Sequence, residues 1–354
     1  DLIFSWSASL FLSIWKHGEA ALNQHLFKVV AKDDIDKYFL KSLIEFQIPE
    51  ITKSSHGSTM QHITRKELYT FSVIVPTSKT EQTKIAEVLS TVDKAIEDTE
   101  KLIAKQQRLK TGLMQDLLTC GIDAKGNIRS EATHEFKDSP LGRIPIEWEV
   151  VHIGSILKTS PKNGYSPNES NSWEGVYVLG LGCLTHDGFR PTQLKFAPKL
   201  EGFMEKALLS TGDFLISRSN TQNLVGLVGI YEDIGIPCLY PDLMVRLSFS
   251  EEVINEFMEL SFSSHYLRKQ IQRDATGTSG SMKKINSTKI KNFLFIQPPK
   301  TEQVKILSKI NKFNLLMENH NAELNKLKSL KAALMRDLLS GERSVVPLLE
   351  KTKG

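Results

Sequence analysis

Two stretches of the chain carry an apolar residue at every third or fourth position through most of ten successive steps, the spacing that lines one side of an α-helix. In the first, the series 85, 89, 92, 96, 99, 103, 106, 110, 113, 117 is apolar at seven of ten positions. In the second, counted from Ile306, eight of ten are apolar and His320 and Lys331 interrupt the stripe. The two stretches are copies of each other. Thr80-Glu-Gln-Thr-Lys-Ile85 returns as Thr301-Glu-Gln-Val-Lys-Ile306, and an offset of 221 holds without a gap from Thr80/Thr301 to Thr119/Ser340, with 14 of 40 positions identical. The match ends in Leu-Met-x-Asp-Leu-Leu at 113–118 and 334–339. Such a stripe predicts a helix about 60 Å long that packs along another as a coiled coil, and the simplest partner for each copy is the other. Ser78 and Glu81 have the spacing of a capping box at the first helix start, whereas the second copy starts after Pro298-Pro299.

A period of this length is too long for a solenoid or propeller unit, so each repeat must hold a globular part as well as a helix. Asp1-Leu-Ile-Phe-Ser-Trp-Ser7 lines up with Asp213-Phe-Leu-Ile-Ser-Arg-Ser219, and residues 57–76 align with 279–298. That alignment sets Met60, Ile63, Leu68, Phe71 and Pro76 on Met282, Ile285, Ile290, Phe293 and Pro298. The counterpart of about 140–212 is then missing from the first copy, and we expect a shortened protein whose first globular part is incomplete. The second part reads as mixed α and β. Strand-like runs fall at Val176–Leu179, Phe214–Ser217, Leu224–Tyr231 and Leu243–Phe249, followed by an apolar-periodic helix near Val253–Ile271. The polar, non-periodic Gly121–Ser139 is the best linker candidate. The expected division is 1–79, an incomplete first domain; 80–120, a long helix; 121–139, a linker; 140–300, a second domain; 301–340, a second long helix; and 341–354, a tail.

Composition narrows the function without naming it. At 354 residues, 40% apolar, the chain has enough apolar material for one or two sizeable cores. Its longest early apolar run, 8–15, is far short of a membrane span, and the chain reads as cytosolic. Cys120, Cys183 and Cys238 are scattered, with no metal-ligand or disulfide spacing, and no cofactor is indicated. The net charge of +4 is weak, but Arg268–Lys300 holds eight Lys or Arg against one acid, Asp274. That excess points to an anionic partner, or else to a solvated basic face.

Catalytic patterns fail one after another. Gly180-Leu-Gly182-Cys-Leu-Thr185 follows a strand as a dinucleotide fingerprint would, but Thr185 stands where the third glycine belongs and His186-Asp-Gly188 reads as a turn. No G-K-[ST] occurs. Gln297-Pro-Pro-Lys300 approaches the polar-Pro-Pro-aromatic segment of adenine methyltransferases but lacks the ring that stacks on a flipped base. Its prolines are better suited to ending a strand before the helix. The nine histidines show no H-E-x-x-H or other metal spacing.

Two repeated helices, each opened by Thr-Glu-Gln after a globular part ending at Val75-Pro76 or Ile296-Gln-Pro298, together with the paired Leu-Met-x-Asp-Leu-Leu ends and the opening Ile144-Pro-Ile-Glu-Trp148-Glu-Val, resemble the specificity subunit of type I restriction-modification systems. The resemblance covers nearly the whole chain and rests on the duplicated order rather than on one sharp motif. It implies an α+β fold with a pseudo-two-fold internal repeat, in which target recognition domains are joined by two long antiparallel coiled-coil helices. It implies a non-catalytic subunit in which each domain reads half of a split double-stranded DNA sequence. The helices would serve as a ruler and dock methyltransferase subunits, and through them a restriction/translocase subunit. A second shortened chain, paired with this one, is one source that could supply the absent front part.

On that basis phosphate contacts are expected from Arg268, Lys269, Arg273, Lys283 and Lys284 and from the loop that includes Thr278, Ser279 and Ser281. Base readout is expected from Arg218, Ser219, Asn220, Gln222 and Asn223, then from Lys162, Asn163 and Tyr165. In the first domain the matching candidates are Trp6, Ser7, His56, Ser58, Arg65 and Lys66. Two rivals stand beside this reading. One is the recognition component of a related system in which cleavage and methylation reside in one partner chain. The other is a coiled-coil scaffold that binds no DNA, its basic run merely solvating it.

Overall fold

The computed structural model describes residues 1–6, 10–54, 69, 71–277 and 282–350. The chain forms two compact units, one of residues 1–106 and 316–354, the other of residues 107–315. The division runs through both periodic stretches, which form the single helices α2 (Lys79–Thr119) and α6 (Lys300–Leu339), 41 and 40 residues long. Each unit therefore holds the start of one long helix and the end of the other.

In the first unit, β1 (Leu2–Ser5) runs between β2 (Phe11–Ile14) and β3 (Leu26–Val29), antiparallel to both. Leu2 and Phe4, two apart and so on one face of the strand, are buried with Leu12 and with Ile51 of α1 (Lys37–Ser54). Phe39 and Leu43 of α1 pack instead on Ile85, Ala86 and Leu89 of α2 and on Leu338 and Leu339 of α6. Here the long helices pair with each other, as the repeat predicts, and run antiparallel, as the resemblance implies: Asp93, Glu100 and Gln106 meet Lys331, Lys328 and His320. Both polar interruptions of the second stripe thus find partners. His320 Nδ1 lies 2.9 Å from Oε1 of the buried Gln106, and Lys331 Nζ lies 2.6 Å from Asp93 Oδ1. Polar pairs in an apolar seam fix the register of two helices.

In the second unit, β12 (Phe214–Ser217) and β16 (Met244–Leu247) lie between β14 (Val228–Ile230) and β7 (Lys162–Asn163) in an antiparallel sheet of order β14-β12-β16-β7. Strand β12 is buried on both faces. Phe214 and Ile216 enter a core with α3 (Asn255–Phe262), α4 (His265–Asp274) and the ends of the long helices, while Leu215 enters a second core. That second core is built on a sheet of β8 (Tyr177–Leu179), β11 (Leu194–Phe196) and β15 (Cys238–Leu239). The alignment of Asp1 with Asp213 is visible in the sheets: β1 and β12 are both central strands, and Asp1 pairs with Lys28 of β3 as Asp213 pairs with Arg246 of β16. Pro298 and Pro299 separate β18 (Leu294–Gln297), which pairs with β6 (Glu149–His152), from α6, in keeping with the strand-ending role expected of them.

Thr-Glu-Gln proves to be a fastening. In the first unit the Gln82 side chain donates to Pro76 O at 2.9 Å and Asp34 O at 3.3 Å and accepts from Asp36 N at 2.8 Å. In the second, Gln303 donates to Pro298 O at 3.0 Å and Glu252 O at 3.1 Å and accepts from Ile254 N at 3.0 Å. Both side chains are fully buried, so every polar atom of the amide is matched where water cannot serve. The clamps join each long-helix start to the preceding proline and to the chain just ahead of α1 or α3.

Four expectations need correction. The helix near 253–271 is two helices, because Ser264 leaves helical backbone and its hydroxyl accepts from Leu267 N to start α4. The run Leu224–Tyr231 is a strand only at Val228–Ile230; residues 221–225 turn, with Val225 N bonded to Thr221 O. The capping box is half made: Ser78 Oγ accepts from Glu81 N at 3.4 Å, but the Glu81 carboxylate turns to Ser344 Oγ at 2.6 Å. Gly121–Ser139 is no loose connector. Ile122 is buried and bridges to Ile128, β4 (Phe136–Lys137) pairs with β5 (Ile144–Pro145), and Arg129 reaches the buried Glu302.

Candidate nucleic-acid interface

Antiparallel pairing brings three loops to one end of the second unit's four-stranded sheet. Ser217 pairs with Met244 and Val245 with Asn163, so the chain leaving β12 at Arg218, the chain entering β16 at Pro241–Leu243 and the chain leaving β7 at Gly164–Ser166 all meet there. Gly164 makes the approach feasible: a Cβ on it would lie 2.2 Å from Tyr240 O and 2.3 Å from Pro241 O. Tyr165 N bonds to Tyr240 O at 3.0 Å, and Arg218 N to Leu243 O at 2.9 Å. A short ribbon extends the cluster, with β13 (Ser219–Asn220) paired to β17 (Lys283–Lys284), and Thr276 bridged to Lys284.

The side chains sort into those turned outward and those engaged in holding the fold. Lys162, Asn163, Tyr165, Asn223, Lys269, Arg273 and Lys284 are exposed; Arg218, Asn220, Gln222 and Lys283 are half-buried. Tyr165 sits edge-to-face on the exposed Phe203 ring, centroids 5.4 Å apart. Arg218 Nη1 donates to Asp242 O at 3.4 Å, and Lys283 Nζ to Gly277 O at 2.9 Å. Arg273 forms a two-pronged pair with Asp274, which holds the Asp274 carboxyl below its usual range, so part of its charge is already balanced.

Three expected contacts have other roles. Arg268 donates to Val225 O and Asn223 O, both at 2.9 Å, stapling the 223–225 turn to α4, and burial pulls its pKa below the usual guanidinium value. Ser219 is buried, and Gln222 Nε2 donates to Gln272 O at 2.7 Å. Arg218, Asn220, Tyr165, Lys283 and Lys284 therefore come together, while Arg268 and Gln222 are engaged by main-chain oxygens and Ser219 is buried. Thr278, Ser279, Ser281, Ser7, His56, Ser58, Arg65 and Lys66 lie outside the described residues. Trp6, just after β1 as Arg218 is just after β12, stacks on Phe27 at 5.6 Å between centroids and donates through Nε1 to Gln24 O at 3.1 Å.

Reading the sequence alone missed Asp242, Ser166 and Phe203. The Tyr240-Pro241-Asp242 turn ahead of a strand was the available signal for the first. Among the described residues, no group of three or more His, Cys, Asp or Glu is arranged to hold a metal, and no helix is long and apolar enough to cross a membrane.

A duplicated sheet-and-helix unit, each copy clamped to the start of a long helix that pairs with the other, is the class of architecture these observations define. The chain matches the type I restriction modification DNA specificity domain over residues 1–106 and 145–329, most of its length, and so belongs to that family: it is a type I restriction-modification specificity subunit. The specificity subunit of type I restriction enzyme MjaVIII from Methanocaldococcus jannaschii is 23% identical over 97% of this chain and 79% of its own length. That of EcoKI from Escherichia coli is 24% identical over 86% of this chain and 68% of its own. A chain solved in work on complex assembly and conformational transition of the type I R-M system has a TM-score of 0.60 at 17% identity, covering 97% of this chain and 82% of that one. The type I S subunit of M. genitalium gives 0.55 at 16% identity, covering 96% and 82%. The structural likenesses show a shared fold.

Proposed function

We propose that this subunit binds a two-part double-stranded DNA target, each unit reading one half, and docks the modification subunits that transfer methyl groups, with a restriction subunit joining through them. The subunit itself contributes recognition and no catalytic group. The observation that carries this reading is the repeated glutamine clamp. Gln82 and Gln303 fasten two sheet-and-helix units to two long helices by the same three bonds, as a reader of two half-sites requires. The unbroken 41- and 40-residue helices support their role as a ruler. The basic loop cluster supports phosphate contact in the second unit.

The test is to map methylated bases across the host genome with and without this gene, and to measure DNA binding by the assembled complex at rising salt. The reading expects a two-part sequence with a fixed gap to lose methylation when the gene is deleted, and a complex that weakens steeply with salt. An unchanged methylation map together with no salt-dependent DNA complex would overturn it and favour the scaffold.

A further inference from the structure

We infer that Asp242 reads the exocyclic amine of a cytosine or adenine in the half-site faced by the second unit. The inference rests on the DNA-binding reading above and deepens it by assigning a base-reading acceptor.

Asp242 is exposed at the centre of the loop cluster, between Tyr165-Ser166 and Arg218. Its carboxylate is held in place. Ser166 Oγ donates to Asp242 Oδ1 at 2.5 Å and accepts from Asp242 N at 3.1 Å, a reciprocal pair that orients the side chain. Arg218 donates to the main-chain oxygen of Asp242 rather than to its carboxylate. Among the described residues, therefore, Oδ2 has no partner and no cation forms an ion pair with the carboxylate.

An unpaired carboxylate is out of place on a surface that only contacts phosphates, since like charges repel there. It fits where a donor must be recognised. In the major groove the donors are the N4 amine of cytosine and the N6 amine of adenine, and Asp or Glu is the side chain that accepts from the former. The neighbours complete such a reader. Arg218 supplies donors for a guanine edge or a phosphate, and the exposed Tyr165–Phe203 pair offers an apolar face of the kind that meets a thymine methyl.

The experiment selects preferred targets from randomised duplexes with the assembled complex carrying wild-type subunit, Asp242→Asn, Asp242→Ala or Ser166→Ala. Asp242→Asn keeps the acceptor for Ser166 and adds donors to the side chain. It is expected to change the preferred base at one position of one half-site by about 10- to 100-fold, with the other half-site and the salt dependence unchanged. Asp242→Ala is expected to relax the same position. Ser166→Ala, which releases the carboxylate, is expected to weaken preference there to a lesser degree. An Asp242→Asn profile identical to wild type, or one weakened equally at every position, would overturn the assignment and leave Asp242 a loop brace. A wild-type complex that selects no sequence would instead sink the DNA-binding reading on which the assignment stands.

Discussion

Glu302 and Arg129, 173 positions apart, form a two-pronged ion pair, Nη1 to Oε1 at 2.5 Å and Nη2 to Oε2 at 3.1 Å, with both side chains about one-tenth exposed or less. The same carboxylate accepts from Trp148 Nε1 at 3.0 Å and Ile122 N at 2.8 Å. Burial works against the Arg129 charge, yet the hydrogen bonds and charge of Glu302 outweigh it and raise the guanidinium pKa. Removing one partner strands a buried charge, so Glu302→Ala should cost about 3–5 kcal/mol. Calorimetry on Glu302→Ala, Arg129→Ala and the double variant should show strong non-additivity; additive losses would mean that the pair is not coupled.

The glutamine clamps make a matched pair of tests. Gln82→Ala and Gln303→Ala each leave three main-chain groups without the buried side chain that matches them. Each should cost about 1–3 kcal/mol or more. Hydrogen exchange should report the loss locally, at the Asp36 amide in one variant and the Ile254 amide in the other.

Two glycines close the long helices, and their surroundings differ. Gly121, at φ 65°, follows α2; a Cβ there would lie 2.2 Å from Trp148 Cζ2 and 2.3 Å from Glu302 Oε1. Gly341, at φ 79°, follows α6 and has nothing within 4 Å of its would-be Cβ. Gly341→Ala should therefore cost only the left-handed backbone penalty of about 1–2 kcal/mol. Gly121→Ala adds a clash with a buried ring and carboxylate and should exceed that by several kcal/mol. Equal shifts in melting temperature would contradict this contrast.

At the helix seam, His320→Leu alone should destabilise by about 1–3 kcal/mol, because it leaves the buried Gln106 amide without its partner. Adding Gln106→Leu replaces the polar pair by an apolar one and should recover most or all of the loss. Thermal melts of the two single variants and the double variant decide this. A double variant no more stable than His320→Leu alone would show that the pair does not act as a unit.

Glu259 gives a pH dependence. Burial, then Glu256 and Glu232, raise its pKa, while a hydrogen bond from Ile230 N and the charge of Arg190 oppose the rise. An acid whose folded pKa is raised binds its proton more tightly in the folded state, so its contribution to stability falls as pH climbs from the ordinary carboxylate range through the raised folded value. Above that window the ionised group is a fixed burden. Glu259→Gln should therefore stabilise the protein at pH 7 and lose that advantage below about pH 4, as denaturant melts across the range would reveal.

The elements most legible in the sequence were those that repeat. The stripes from Ile85 and Ile306 give α2 and α6, the Asp1/Asp213 alignment gives β1 and β12 as equivalent strands, and Pro298-Pro299 marks the strand-to-helix boundary. The burial of Gln82 and Gln303 was not legible, because their partners are main-chain atoms, which leave no trace in composition. Glu302 was hidden for a related reason: its partners come from Gly121–Ser139, whose polar character concealed Ile122 and Arg129. At the site, residue type alone could not separate Arg218, whose guanidinium lies among the loops, from Arg268, whose donors are spent on carbonyls.

Each clamp addresses only backbone: the Pro76 and Asp34 oxygens and the Asp36 nitrogen in one unit, the Pro298 and Glu252 oxygens and the Ile254 nitrogen in the other. The joint is therefore indifferent to side-chain identity at those six places, except that proline at 36 or 254 would remove the donating N–H. Any sheet-and-helix unit whose chain traces the same path offers the glutamine the same three partners, so the rest of the unit is free to diverge in sequence while its socket stays constant.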